Sequence, residues 1–238
     1  MEPIFEAIVP TELDVVGDAR KFQVRRVFCV ARNYAAHARE MGQDPAREPP
    51  FFFTKPADAV FPVADDGSSV WPYPLASRDV HHEFELVVAL GSGGIDLDLE
   101  QARCCVWAYA PGLDMTRRDL QAEAKKAGRP WDVAKAFDAS APVGPLTPVA
   151  ACGWLDRGSI ALEVDGEVRQ RGDLADMIWS IPEVIATLSG LFELKAGDLI
   201  FTGTPEGVGP VVAGNRLAGR IDGLPPMRLT IGPRDGRA

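Results

Sequence analysis

Two glutamates stand at the head of a strongly apolar run. Glu83 and Glu85 are separated by one residue, and residues 86–90 (LVVAL) follow directly. Such a run predicts a buried strand, and side chains two residues apart on a strand point to the same side of its sheet. Two neighbouring carboxylates repel each other unless a cation or a proton lies between them. A solvated strand edge is the alternative, but the apolar run favours burial with a compensating charge.

A second acidic cluster strengthens the cation interpretation. Asp114 ends another apolar run, residues 106–113, which predicts a strand beside the first. Three carboxylate oxygens that converge on one point describe a site for a hard divalent cation, Mg²⁺ or Mn²⁺ rather than Zn²⁺. We therefore predict that Glu83, Glu85 and Asp114 hold such an ion.

Composition limits the classes of function. The chain has 238 residues, 46% of them hydrophobic, and a net charge of -9, which fits one globular domain and offers no basic stripe to nucleic acid. The longest basic cluster, residues 125–129 (KKAGR), predicts a solvated loop. We expect neither a signal peptide nor a membrane span. Four cysteines without a C-x-x-C pair favour a reducing compartment, so we expect a cytoplasmic protein.

Patterns along the chain predict a mostly β domain with a few outer helices. Residues 1–24 predict a peripheral segment, and residues 25–238 a single domain. The loop at 42–50 is polar and rich in proline. Helices are predicted at 33–41, 99–105, 116–127 and 182–191, and a β-hairpin is predicted around residues 165–166.

His37 and Glu40 are three residues apart on the first predicted helix and share one face. A carboxylate beside an imidazole raises its pKa and fixes its tautomer, which suits a general base that takes a proton from water. A solvated surface pair is the alternative. The proline-rich loop that follows predicts a helix that closes over substrate as a lid.

Four more side chains are candidates for the same site. Lys135 lies in an apolar, aromatic setting and is placed to balance a negatively charged ligand, although a lysine that reaches water with its ammonium is the alternative. Thr204 belongs to the glycine-rich loop 203–209, which suits either a carboxylate or a simple tight turn. Arg118 and Gln121 are three residues apart and can reach the same side as Asp114.

Six segments in order along the chain together resemble the fumarylacetoacetate hydrolase family. These segments span roughly residues 25–215. Within that family, residues 112–137 and residues 172–174 (GDL) before 177–179 (MIW) look most like fumarylpyruvate hydrolases. The segments are residues 32–40 (RNYAAHARE), 82–86 (HEFEL), 113–121 (LDMTRRDLQ), 135–138 (KAFD), 165–170 (DGEVRQ) and 202–209 (TGTPEGVG).

The resemblance implies the fold and the cofactor. The fold is a mixed β-sandwich roll of the α+β class, mostly β, as in the C-terminal domain of the family. The protein is expected to be a homodimer. A Mg²⁺ or Mn²⁺ ion is implied on Glu83, Glu85 and Asp114.

The resemblance also implies a His37–Glu40 dyad on a lid at about residues 33–50. One departure from the family pattern stands at the entry to this lid. Ala31 occupies a position where the family commonly has glycine. Because alanine restricts the backbone, the entry into the lid is expected to differ slightly.

The implied activity is hydrolysis of the C3–C4 bond of a 2,4-dioxo acid, with fumarylpyruvate first among the substrates and aromatic-compound catabolism as the setting. His37, oriented by Glu40, takes a proton from water, and the hydroxide attacks C4. Lys135 neutralises the developing oxyanion charge. Two alternatives stay open: decarboxylation of oxaloacetate in the same family, and a non-catalytic binding module with a structural Ca²⁺, which has no use for the dyad.

The remaining polar side chains are expected to bind substrate. Arg118, Gln121 and Thr204 are implied to orient the carboxylate and keto oxygens. Arg32 is a candidate partner for the distal carboxylate of the fumaryl group.

Overall fold

The computed structural model describes residue 4, residues 9–35 and residues 48–233. Within these ranges short strands outnumber helices and form curled sheets. The predicted fold class, α+β and mostly β, is confirmed.

The elements of the described ranges are short. The helices are α1 (Leu99–Cys105), α2 (Arg118–Ala127), α3 (Asp132–Lys135), α4 (Val149–Cys152) and α5 (Ile181–Ser189), with single 3-10 turns at Ala57–Ala59 and Leu174–Asp176. The strands are β1 (Glu12–Val15), β2 (Asp18–Gln23), β3 (Arg26–Ala31), β4 (Phe51–Lys55), β5 (Val60–Pro62), β6 (Val70–Trp71), β7 (Val80–His82), β8 (Phe84–Leu90), β9 (Val106–Leu113), β10 (Thr116–Arg117), β11 (Ala141–Val143), β12 (Thr147–Pro148), β13 (Ser159–Val164), β14 (Glu167–Asp173), β15 (Asp198–Phe201), β16 (Gly209–Val211), β17 (Arg216–Ile221) and β18 (Met227–Ile231).

Two sheets make the body of the fold. The larger has the order β4-β3-β15-β8-β9-β11-β5, with β12 also paired to β9, and the smaller has the order β14-β13-β17-β18-β6. The larger sheet is mixed, because β15 runs parallel to β3 but antiparallel to β8. A three-stranded group, β10-β7-β16, and the hairpin β1-β2 complete the described sheets.

Strand β8 has a core on each side, which explains the apolar run of residues 86–90. All seven of its residues are buried. The residues at positions 84, 86, 88 and 90 belong to the larger core cluster, whereas Val87 and Ala89 belong to the smaller one. Successive side chains on a strand alternate between faces, so a strand buried on both faces is apolar at nearly every position, and Glu85 is the exception in β8. Glu85 shares the face of Val87.

The hairpin of β1 and β2 covers the smaller core. Leu13, Val15 and Val24 are buried in that cluster. The ring of Phe22 stacks on Trp107 with the ring centres 5.6 Å apart. Residues 1–24, predicted as a peripheral segment, therefore include side chains of this core.

Local patterns predict most boundaries within a residue or two. The helix at 99–105, the strand at 106–113 and the hairpin around residues 165–166 are confirmed. The helix predicted at 182–191 is α5, and the backbone N–H of Ser180 donates to the Glu183 carboxylate at 2.9 Å at its start. This bond supplies one half of a capping box.

The helix predicted at 116–127 is wrong at its start. Thr116 and Arg117 form β10 and pair with β7, and the helix begins at Arg118. Pairing with a strand distant in sequence outweighs the local helical preference of these two residues.

Gly219 of β17 lies where the smaller sheet meets Phe84 of β8. A β-carbon added to Gly219 would lie 2.2 Å from Cε2 of the fully buried Phe84. We predict that Gly219→Ala lowers the free energy of unfolding by about 1–3 kcal/mol, the usual cost of overpacking a core, as measured by urea denaturation. The control is Gly209→Ala, because its added carbon has its nearest neighbour at 3.6 Å. We expect the control to change stability by less than about 1 kcal/mol, and equal effects of the two variants would contradict the packing argument.

Candidate metal centre and active site

Two neighbouring strand ends bring three acidic side chains together. Glu85 lies in β8, Glu83 directly precedes β8, and Asp114 directly follows β9. Phe84 pairs with Leu113 across these strands, and the backbone N–H of Asp114 donates to the Glu83 carbonyl at 2.8 Å. One carboxylate oxygen from each of the three residues lies within 4.8 Å of the others, and all three residues are buried. Glu83, Glu85 and Asp114, the acidic cluster, thus meet as predicted, although Glu83 itself lies outside the strand.

Three cations face the acidic cluster. Lys135 Nζ donates to Glu83 Oε2 at 2.8 Å and to Asp114 Oδ2 at 2.5 Å. Arg118 Nη2 donates to Glu83 Oε1 at 2.5 Å, and Lys55 Nζ lies 2.9 Å from Asp114 Oδ1. Three cations formally balance three carboxylates, as burial of charge requires. Burial alone would lower the pKa of Lys135, but the charges of Asp114 and Glu83 outweigh it and raise that pKa.

Glu85 is the carboxylate that the cations balance least. Its Oε2 accepts a hydrogen bond from the backbone N–H of Gly203 at 2.7 Å. Burial raises the pKa of Glu85 well above its usual range, and repulsion from Asp114 and Glu83 raises it further, against the opposing effects of Lys135 and Gly203. A further cation beside Glu85 would favour its charged form.

The donor set of the acidic cluster fits a hard divalent cation. Asp114 Oδ1 is buried and accepts no hydrogen bond from the described residues, because the nearby Lys55 ammonium lacks hydrogen-bond geometry to it. Carboxylate oxygens grouped in one small volume are ligands that Mg²⁺ and Mn²⁺ prefer. Among the described residues no histidine or cysteine joins the group, so the set does not resemble a zinc site.

Lys55 is a site residue that the sequence pattern does not single out. It is the last residue of β4, and its side chain is fully buried. Besides its ion pair with Asp114, its ammonium donates to the carbonyl of Lys135 and, at 3.4 Å, to that of Met115. Lys55 therefore holds both the strand end that carries Asp114 and the helix end that carries Lys135. The available signal is its spacing from Phe53, which places both side chains on one face of an apolar strand.

Arg118, Gln121 and Thr204 line the same pocket as the acidic cluster. Arg118 Nη1 donates to Gln121 Oε1 at 2.7 Å, so these side chains share a face of α2 as predicted. The Thr204 hydroxyl donates to the carbonyl of Phe84 at 2.8 Å. The pocket therefore joins α2 to the loop after β15 at the acidic cluster.

A buried amide that the sequence pattern does not reveal fixes the position of Thr204. Gln170 of β14 donates to the Thr204 hydroxyl at 2.7 Å and to the Pro205 carbonyl at 2.9 Å. Its Oε1 accepts from the Phe84 N–H at 3.0 Å and lies 2.9 Å from His82 Nδ1. Burial lowers the pKa of His82 to about 4, so the imidazole is neutral near pH 7 and Nδ1 carries the proton that Oε1 accepts.

Comparison with known proteins establishes the family. The family described as fumarylacetoacetate (FAA) hydrolase C-terminal matches residues 26–232. This chain belongs to the fumarylacetoacetate hydrolase family. The family resemblance predicted from the six segments is therefore confirmed.

Family members of known structure or name match most of the chain. The crystal structure of fumarylpyruvate hydrolase from Pseudomonas aeruginosa, in complex with Mn²⁺ and pyruvate, has a TM-score of 0.95 and 54% sequence identity and covers 98% of this chain and 100% of that one. Fumarylpyruvate hydrolase from Ralstonia sp is 41% identical over 192 residues, which are 81% of this chain and 97% of the relative. The mitochondrial oxaloacetate tautomerase FAHD1 of Arabidopsis thaliana is 41% identical over 209 residues, which are 88% of this chain and 92% of the relative.

The departure from the family pattern at residue 31 leaves the backbone unstrained there. Ala31 is the last residue of β3 and pairs with β4 in an extended conformation that any residue adopts. Arg32, which follows it, is one of five described non-glycine residues with positive φ, at φ 61, and it lines the pocket. A non-glycine residue held in this conformation is typical of functional sites in enzymes. Asn33 follows, fully buried, and its amide donates to the carbonyl of Thr202 at 2.8 Å.

His37 and Glu40 lie outside the described residues, together with most of the predicted lid. The dyad of the fumarylacetoacetate hydrolase family therefore stays a prediction for this chain. Trp179 is hydrogen-bonded to a residue at each end of the predicted lid. The Trp179 N–H donates to Asn33 Oδ1 at 2.7 Å, and its Nε1 donates to the Glu48 carbonyl at 3.1 Å.

Neither a membrane-crossing helix nor a disulfide is found in the described part of the chain. Each helix there is too short or too polar to cross a bilayer. Cys29, Cys104, Cys105 and Cys152 are free thiols. Cytoplasmic location stays a prediction.

Lys55→Met tests the charge balance of the acidic cluster. Methionine keeps much of the side-chain volume but removes the ammonium that faces Asp114. Breaking a buried ion pair by removing one partner costs about 3–5 kcal/mol, so we expect a loss of that size in the free energy of unfolding, measured by urea denaturation in EDTA. Mn²⁺ should restore part of this stability, because an ion that binds only the folded state stabilises it.

The control for this variant is Arg20→Met, which breaks the exposed ion pair with Asp18. We expect it to change the free energy of unfolding by less than about 1 kcal/mol. A Lys55→Met effect as small as that of the control would show that the buried ammonium does not balance the cluster.

Proposed function

We propose that this protein hydrolyses a carbon–carbon bond of a 2,4-dioxo acid in a reaction that requires Mg²⁺ or Mn²⁺. The substrate we propose is fumarylpyruvate, which gives fumarate and pyruvate. The observation that carries the proposal is the buried acidic cluster with its three cations. The Pseudomonas aeruginosa relative, 54% identical, holds Mn²⁺ together with pyruvate, one product of this reaction.

The charge of the site supports a dianionic substrate. The acidic cluster carries a formal charge of about three negative units, which Lys55, Lys135 and Arg118 cancel. A divalent ion would add about two positive units to this neutral set. The excess positive charge that results favours binding of a dianion such as fumarylpyruvate, because complementary charge attracts such a substrate.

The residues around the acidic cluster would take separate roles. An ion on Glu83, Glu85 and Asp114 would supply Lewis-acid stabilisation of negative charge on the keto oxygens. Lys135, held at the cluster by two of these carboxylates, donates to the developing oxyanion.

The side chains that line the pocket would orient the substrate. Arg118 and Gln121 present their side chains from one face of α2, and Thr204 lines the same pocket from the loop after β15. These three side chains hold the carboxylate and keto oxygens next to C4. Arg32 is available for the distal carboxylate from the end of β3.

Hydrolysis requires an activated water molecule. His37, oriented by Glu40, takes a proton from water, and the hydroxide adds to C4. The tetrahedral intermediate collapses, the C3–C4 bond breaks, and its electron pair goes to C3 as the enolate of pyruvate. Protonation of C3 completes the reaction, so that one water is consumed for each fumarate and pyruvate formed.

Oxaloacetate is the second candidate substrate. The Arabidopsis thaliana relative, 41% identical over 88% of this chain, is named an oxaloacetate tautomerase. Decarboxylation or tautomerisation of oxaloacetate also passes through an enolate and needs the same charge stabilisation. Neither reaction needs an attacking water. A structural Ca²⁺ module, the remaining alternative, would turn over neither substrate.

We also propose that the protein is a homodimer, as the family resemblance implies. Light scattering coupled to gel filtration measures the mass directly. A monomer at micromolar concentration would contradict this expectation.

Removal of the ion should abolish hydrolysis of fumarylpyruvate, and Mn²⁺ should restore it. Glu85→Gln keeps the shape of the side chain but removes one charged ligand, so we expect Mn²⁺ binding to weaken at least about tenfold, as measured by isothermal titration calorimetry. Glu167→Gln, at an exposed position of β14, is the matched control and should bind the ion normally. Full wild-type activity in EDTA would contradict the proposal.

His37→Ala separates the two candidate reactions. Loss of a general base lowers the rate about 10²- to 10⁴-fold, so hydrolysis of fumarylpyruvate should fall by that factor. Turnover of oxaloacetate should fall less, and Mn²⁺ affinity should stay the same because His37 is not a proposed ligand. His81→Ala is the control, since this imidazole faces Asp79 at 2.9 Å. Wild-type hydrolysis by His37→Ala would show that another group is the base.

A further inference from the structure

One face of α2 extends the site outward from the acidic cluster. Arg118, Gln121 and Lys125 follow at spacings of three and four residues, which aligns them on one face, and all three line the pocket. Arg118 binds Glu83 at the inner end. Because a helix rises about 1.5 Å per residue, Lys125 lies about 10 Å farther along the axis. The solvated loop predicted at 125–129 is therefore wrong at its start, where the last turn of α2 brings Lys125 to the pocket.

The ammonium of Lys125 lies against an aromatic wall. Its Nζ is 4.9 Å from the centre of the Trp131 ring. Trp131 contacts Phe51 and Phe53 with ring centres 5.2 Å and 6.2 Å away. Trp131 and Phe53 also line the pocket. A cation over an indole face is positioned by that face and keeps N–H donors for a ligand, so the wall offers a flat apolar surface that ends in a positive charge.

The charge of Lys125 is not used elsewhere in the described part of the chain. Arg118 and Lys135 are already paired with the acidic cluster. Within the described ranges neither Lys125 nor Arg32 makes an ion pair with a carboxylate. Partial burial lowers the pKa of Lys125, and repulsion from Arg118 and Arg32 lowers it further. Cations that repel each other around one pocket indicate a place for an anion.

We propose that Lys125 joins Arg32 in binding the acyl-end carboxylate of a dianionic acylpyruvate, and that Lys125 selects fumarylpyruvate over acylpyruvates whose acyl group is neutral. This inference rests on the proposed function. Six carbon–carbon bonds separate the two carboxylate carbons of fumarylpyruvate, an extended length of about 7–8 Å. That length is comparable with the distance of about 10 Å that separates Arg118 from Lys125 along the axis of α2. The planar, unsaturated part of the acyl group would lie along the ring of Trp131.

Substrate selectivity is the measurement that tests this role. We would compare kcat/KM for fumarylpyruvate with kcat/KM for acetylpyruvate, which ends in a neutral methyl group, in the Mn²⁺-loaded wild type and in Lys125→Met. A hydrogen bond between charged groups corresponds to about a ten- to hundredfold effect, so the ratio of the two values should fall at least about tenfold. The inhibition constant for fumarate, the acyl-end product, should rise by a similar factor. Lys125→Arg keeps the cation over Trp131 and should keep most of the ratio.

Lys126→Met is the matched control. It removes the same charge from the neighbouring residue, which does not line the pocket. Its ratio should stay within about twofold of the wild-type ratio. A wild-type ratio in Lys125→Met, or an equal fall in both methionine variants, would overturn the inference. If the wild type hydrolyses neither acylpyruvate, the proposed function fails and the inference fails with it, and this outcome differs from the others because it appears before any variant is assayed.

Discussion

Charge neutralisation between buried strand ends is the constraint on which this site depends. Three carboxylates removed from water would repel one another and would be costly to bury alone. Lys55, Lys135 and Arg118 come from three different elements, β4, α3 and α2, and each contacts Glu83 or Asp114. The positions of these elements are therefore tied to the acidic cluster, because loss of the carboxylates would leave buried cations unpaired.

The hydrogen bonds of Gln170 beside the acidic cluster couple the two large sheets. Gln170 belongs to the smaller sheet, and its amide uses both its donors and its acceptor on Thr204, Pro205 and the strand that carries Glu85. Each partner is fixed by direction as well as distance, since an amide has a donor side and an acceptor side. The geometry of the acidic cluster is thus set by the whole body of the fold, and not by the residues next to it in sequence.

Local patterns predict the strands that carry the acidic cluster but not all of what surrounds it. The uninterrupted run of β8 follows from burial on both faces, so Glu85 could be placed from sequence. Lys55 could not, because a lysine at the end of an apolar strand is usually solvated, and its partners Asp114 and Lys135 lie far along the chain. The role of Gln170 could not be predicted from local sequence either, because 86 residues separate it from Phe84, whose backbone N–H it binds.

Helix α2 carries two cations with different surroundings at opposite ends of one face. Its first turn carries Arg118, which is paired inside the protein, and its last turn carries Lys125, which is exposed beside Trp131. A mutation at the outer turn exchanges a solvent-facing side chain and breaks no buried ion pair, so it is tolerated far better than one at the inner turn. Substitutions at the mouth of the pocket can therefore change which acyl groups are accepted while the charge balance of the interior stays intact.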